Sequence, residues 1–251
     1  MFMTFAMPKN CHYLIALHLF LVYNILMIYI LRNGYNNETL FYIVALIIAI
    51  LASISIHEFA HAYVAFKNGD DTAKRMGRYT LNPIAHLDIF GSISFLLFGF
   101  GWAKPVPINP LRFKYYRKGI FLTSIAGIIS NIFTAFFCAG FYILFLKISP
   151  YATSDFANFI VTFLTIFFKL MFSLNLGLAI FNLLPIFPLD GFNIIYSLSK
   201  SENKFLLFMQ KYGSFILLAL FLTNYFDIGI SYLANLIGTP FVNFWDYVLV
   251  I

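Results

Sequence analysis

The stretch LFYIVALIIAILASISIHEFAH, residues 40–61, runs from Leu40 to Ile56 without a charge and then sets His57, Glu58 and His61 at its end. An apolar run of that length reads as a helix that enters a bilayer. An ionisable side chain near the middle of such a helix costs roughly 2.5 to 3.5 kcal/mol on insertion scales, so ionisable groups placed there mark a candidate functional site. On a helix, His57 and His61 share one face, with Glu58 beside them. That arrangement lets two imidazoles grip one zinc ion while a carboxylate handles a water molecule.

The rest of the chain agrees with a membrane setting. It is 61% hydrophobic and 20% aromatic, with 10% charged residues, against about 25% charged in soluble domains. The expected class is an all-α polytopic membrane protein of five to six transmembrane helices. Its 251 residues suit one membrane-embedded domain, 1–251, with the chemistry concentrated at about residues 40–197. Five segments have spanning length: Leu14 to Leu31, Leu40 to Phe66, Ile120 to Leu146, about Ile160 to Leu184, and about Phe205 to Phe226. Residues 228–251 read equally as an interfacial helix or a sixth span. The apolar stretch Phe90 to Phe100, bounded by Gly91, Gly99 and Gly101, is too short to span and reads as a re-entrant segment or short hairpin beside the site. Lys9 precedes the first apolar run with no small-residue cleavage site after it, so that run is expected to remain as a first helix.

Nine of the sixteen basic residues fall between Lys67 and Lys118. By the positive-inside rule this loop faces the cytoplasm, so topology and lipid headgroups account for the net charge of +6 and no nucleic-acid partner is needed. The expected location is the cell (inner) membrane, multi-pass, with the site toward the cytoplasmic side. Lys169 and Lys211, inside apolar runs, read as boundary side chains whose stems snorkel. Cys11 and Cys138 are too far apart in sequence to suggest a metal pair or a disulfide framework and read as packing residues.

Two histidines need a third ligand to make a hydrolytic zinc site with one open position. Lys67 stands where a metzincin would carry its third histidine, and no glutamate occurs between His61 and Asp190 to complete a thermolysin-like set. His86 and Asp88 are possible ligands. Asp190 is the stronger candidate, because it follows Asn182-Leu183-Leu184-Pro185-Ile186-Phe187-Pro188-Leu189, where two prolines break a helix, and precedes Gly191. Broken helices in membrane proteins line cavities, and a carboxylate left there needs a cation. The topology also puts Asp190 at a depth similar to that of His57, since each lies ten residues before a cytoplasmic lysine, Lys200 and Lys67.

These residues resemble the site-2 protease family, peptidase family M50, in its compact bacterial branch without a PDZ domain. Besides HEFAH and Pro188-Leu189-Asp190-Gly191, the likeness rests on three stretches. They are Gly77-Arg78-Tyr79-Thr80-Leu81-Asn82-Pro83, His86-Leu87-Asp88, and Gly101-Trp102-Ala103-Lys104-Pro105-Val106-Pro107-Ile108-Asn109-Pro110. It covers about Ile43 to Ile195. In the third span the family usually shows Ala-Gly-Pro, whereas Ala126-Gly127 is followed here by Ile128; the asparagine that comes after survives as Asn131.

The resemblance implies an intramembrane zinc metalloprotease acting on the transmembrane helix of a protein substrate. One Zn2+ per chain would be held by His57, His61 and Asp190, with Glu58 as catalytic base and Asn131 as a catalytic and substrate-binding residue that helps hold the oxyanion. Substrate helices must unwind locally to expose a peptide bond, and an extended substrate could pair with a strand from the Phe90 to Phe100 region. The loop carrying Lys104 and Asn109 is a candidate gate for water. A divalent-metal transporter would more often show an internal repeat, which is not found here. A non-catalytic helix-binding relative could dispense with Glu58 or a ligand, and all four residues are present.

Overall fold

The computed structural model describes residues 37–88, 104–200, 203–221 and 223–249. The expected first span Leu14 to Leu31, Cys11 and the Phe90 to Phe100 segment lie outside the described residues. The elements are α1 (Asn37–Lys67), α2 (Thr72–Arg75), α3 (Tyr116–Ile148), α4 (Asp155–Leu183), α5 (Asp190–Leu198), α6 (Lys204–Phe221) and α7 (Asn224–Val248), with short 3-10 turns between some of them. Among the described residues the structure is all-helical and has no β-strand.

Helices suit this composition because a bilayer offers no water to a free N–H or C=O, and a helix satisfies these groups within itself. α1, α3 and α4 have 31, 33 and 29 residues, more than the roughly 20 that a bilayer core requires. Among the described residues these three helices are long and apolar enough to cross a membrane. Their outer faces carry exposed apolar side chains such as Ile47 and Ile48 on α1 and Phe133, Phe137 and Phe141 on α3.

The inner faces are built differently. On α1 the fully buried Ala45, Ala49 and Ser53 recur every fourth residue, and the same spacing continues to His57 and His61. On α3 the buried row is Gly119, Thr123, Gly127, Asn131, Ala135 and Ala139. Rows at four-residue spacing form the ridges along which helices interdigitate, and small side chains let the backbones approach closely. α1, α3 and α4 accordingly pack against one another. Deep in this core the Asn175 amide of α4 donates to the Ser53 hydroxyl of α1 at 2.8 Å, a polar tie between two apolar helices. Cys138 is buried in the same core, as expected of a packing residue, and Lys169 and Lys211 are exposed.

α4 begins under a Ser154 cap, whose hydroxyl accepts from Ala157 N–H at 3.2 Å. It ends at Leu183 because Pro185 disfavours helical geometry at Leu184, which is extended. The chain turns and α5 starts at Asp190. Beyond it, the apolar run of residues 205–226 divides: α6 stops at Phe221 and α7 starts at Asn224. α7 lies along α3 and α4. It is fastened to α3 by the Trp245 indole N–H donating to Phe136 O at 2.8 Å and by Lys147 Nζ, 2.9 Å from an Asp246 carboxylate oxygen.

Candidate metal centre

His57 and His61 stand on successive turns near the end of α1, both 7% exposed, with their rings edge to face at 87° and 4.5 Å between centroids. The break after α4 delivers Asp190 to the same place. Its Oδ2 lies 3.3 Å from His57 Nε2 and 3.2 Å from His61 Nε2, and the two Nε2 atoms are 2.9 Å apart. Among the described residues these three form the one group of His, Cys, Asp or Glu side chains able to share a metal ion.

The spacing can be tested against zinc. Tetrahedral ligands about 2.0 to 2.1 Å from an ion lie about 3.3 Å from one another. The observed triangle is 2.9, 3.2 and 3.3 Å, so an ion fits with one position open. The donor set, two imidazoles and a carboxylate, also suits zinc.

Neighbouring groups orient the ligands. His61 Nδ1 is 2.7 Å from the Thr123 carbonyl of α3. A carbonyl only accepts, so Nδ1 carries the proton and the Nε2 lone pair faces the centre. Gly127, one turn further along α3, lies directly against both imidazoles: a Cβ there would be 2.5 Å from His61 Nε2 and 2.6 Å from His57 Cε1. Gly191 does the same for the carboxylate, since a Cβ would be 2.3 Å from Leu183 O and 2.4 Å from Leu184 O. Only glycine lets α5 start so close to the end of α4. Asp190, in the first turn of α5, also has its negative charge favoured by the positive end of that helix.

Glu58 is 8% exposed, and its Oε2 accepts the Val106 N–H at 2.8 Å. Val106 belongs to residues 104–109, which have no regular secondary structure and lie against the metal centre. Glu58, the two histidines and Asp190 share one cavity with Val106, Asn182 and Asn193. Beyond it the basic loop is tied together by Asp71, which pairs with Arg75 at 2.6 Å and with Arg112. Desolvation raises the Asp71 carboxyl, but hydrogen bonds and charge from those two guanidinium groups outweigh it and hold the carboxyl below its ordinary value.

The remaining candidates lie elsewhere. His86 is buried with Nε2 2.9 Å from Thr80 O and is not part of the metal-competent group, and neither is Asp88. Asn131 sits one turn past Gly127, fully buried and without a hydrogen-bond partner for its amide among the described residues. It does not line the cavity that holds the four other site residues. Of the orienting groups, Thr123 is absent from the sequence reading, and Gly127 and Val106 enter it only inside family motifs, with no role of their own. Thr123 and Val106 act through the main chain and leave no residue-type signal, while Gly127 was visible only as part of the family pattern in the third span.

Comparison with known proteins shows the family. The sequence profile of peptidase family M50 matches residues 45–223. The chain is 48% identical over 179 residues to "Putative zinc metalloprotease YwhC" of Bacillus subtilis (strain 168), covering 71% of this chain and 80% of that protein. No solved structure matches. The chain belongs to peptidase family M50, the site-2 proteases.

Proposed function

We propose that this zinc metalloprotease cuts peptide bonds in or near the transmembrane helices of membrane-protein substrates, with His57, His61 and Asp190 as its metal ligands. The observation that carries the reading is three ligand atoms within 2.9 to 3.3 Å of one another, next to Glu58, between helices of spanning length. Zinc, when bound, supplies Lewis-acid polarisation of the scissile carbonyl and acidifies water. Glu58 holds one oxygen, Oε2, on Val106. Its Oε1 takes the proton of the attacking water and passes it to the departing amine. The Asn131 amide is buried one turn beyond Gly127 without a partner among the described residues and outside the cavity that the other site residues line, so a part in holding the oxyanion requires it to turn toward the substrate.

The finer placement belongs to the same proposal. The functional unit is a single membrane-embedded domain with its catalytic core at about residues 40–197 and five to six spans. Lys104 N–H donates to His86 O at 2.8 Å, so the chain on either side of the Phe90 to Phe100 stretch comes together, in keeping with the re-entrant segment or short hairpin expected there. The protein resides in the cell membrane with its site toward the cytoplasm, in keeping with the nine basic residues between Lys67 and Lys118.

The test is purified protein in detergent, with zinc content and cleavage of a fluorogenic single-span peptide compared between wild type and Glu58→Gln. Zinc retained with cleavage reduced by at least about a hundredfold is expected. Equal cleavage by both proteins would overturn the assignment of Glu58. Asp190→Ala is expected to lose most of its zinc, and unaltered affinity would remove Asp190 from the ligand set.

A further inference from the structure

Residues 104–109 lack regular secondary structure, yet they are held at both ends. At the start, Lys104 N–H donates to His86 O at 2.8 Å, and the Arg78 guanidinium reaches Lys104 O at 3.4 Å. At the end, Asn109 N–H donates to an Asp70 carboxylate oxygen at 2.6 Å. Asp70 is fully buried and is itself fixed by Thr72, whose N–H donates to it at 3.0 Å and whose hydroxyl also pairs with it. A buried carboxylate anchored in this way holds a loop in register because releasing it would strand a charge.

Between the two anchors the sequence reads Pro105-Val106-Pro107. Proline has no N–H, so these three residues own a single main-chain donor. That donor goes to Glu58 Oε2 at 2.8 Å, with Val106 7% and Glu58 8% exposed. An N–H to an ionised carboxylate out of water is stronger than a neutral hydrogen bond, and each proline restricts its preceding residue to extended backbone. A glutamate side chain has several rotatable bonds, and a donor fixed by prolines removes that freedom from Glu58.

We propose that the Val106 main-chain N–H is the positioning group for Glu58, and that Asp70 is the anchor that keeps it in place. The inference rests on the reading of Glu58 as the proton acceptor. With one carboxylate oxygen fixed, the other faces the cavity in one orientation. The same prolines deny this segment the run of donors that an extended substrate needs for strand addition, so residues 105–107 serve the enzyme's own carboxylate and not the substrate backbone.

Val106→Pro removes the N–H and replaces a valine side chain buried with Ala62 and Ala73, while the flanking prolines already favour extended chain. Val106→Ala keeps the N–H and trims the side chain. With the fluorogenic single-span peptide that wild type cleaves, Val106→Pro is expected to lose on the order of ten- to a hundredfold in kcat, with KM and zinc content unchanged. Val106→Ala is expected to keep kcat within about twofold, since it removes no contact to Glu58. Wild-type kcat in Val106→Pro, or equal losses in both variants, would overturn the proposal. Should the proline lower zinc content, Asp70→Ala gives the second reading: kcat is expected to fall with zinc retained, and unchanged kcat overturns the proposal. Glu58→Gln is run alongside. If it cleaves like wild type the base assignment fails, whereas an inactive Glu58→Gln beside a fully active Val106→Pro defeats this inference alone.

Discussion

A methyl group added at Gly127 would press on both imidazoles, at 2.5 and 2.6 Å from ring atoms that hold the metal geometry. The rings cannot retreat without leaving the triangle they form with Asp190, so Gly127→Ala is expected to weaken zinc binding by about tenfold or more. Competition with a chelator measures this, and unchanged affinity would mean that α3 does not lie against the histidines. The candidate metal ligands were legible because an imidazole or a carboxylate among Leu and Ile is chemically out of place. The residues that orient them were not, since a Thr123 carbonyl or a Val106 N–H is present whatever the side chain and a glycine in an apolar helix is ordinary. Asn131 was legible through its family position alone, and it does not line the cavity that the others line.

At the level of elements, the turn between α4 and α5 decides where the third candidate ligand, Asp190, sits. Gly191 approaches the carbonyl oxygens of Leu183 and Leu184 within the space a Cβ would need, and main-chain atoms give way less easily than side chains. Gly191→Ala is therefore expected to shift the start of α5, lower zinc content and reduce cleavage, with far-UV circular dichroism unchanged. A variant with wild-type zinc content would show that α5 can move without taking Asp190 with it. This break was readable because Pro185 and Pro188 have only a few places in a helix. The division between α6 and α7 was not, because the chain around it, Leu220-Phe221-Leu222-Thr223-Asn224-Tyr225-Phe226, stays largely apolar through the turn. In a membrane protein, hydrophobicity marks the solvent more than the element boundary. The four-residue rows that set the packing of α1 on α3 were not read from the sequence, and only the structure shows which helix each row faces.

Across the whole molecule, α7 closes the bundle by lying on α3 and α4, with the Trp245 ring over Gly140 and its indole N–H on Phe136 O. Trp245→Ala removes both the ring packing and the hydrogen bond. It is expected to lower the thermal midpoint, with the zinc content of the folded protein retained because these contacts lie on α3 away from the candidate ligands. Zinc loss in step with α7 loosening would show instead that the far helix governs the site. The separation of the ligands along the chain has a consequence for biosynthesis. His57 and His61 emerge from the ribosome well before Asp190, which is 129 residues after His61, a delay on the order of ten seconds at ordinary elongation rates. Throughout that interval the nascent chain holds two imidazoles without their carboxylate. The newborn chain thus enters the membrane with its candidate metal group unfinished, and that group is complete only once Asp190 has been made.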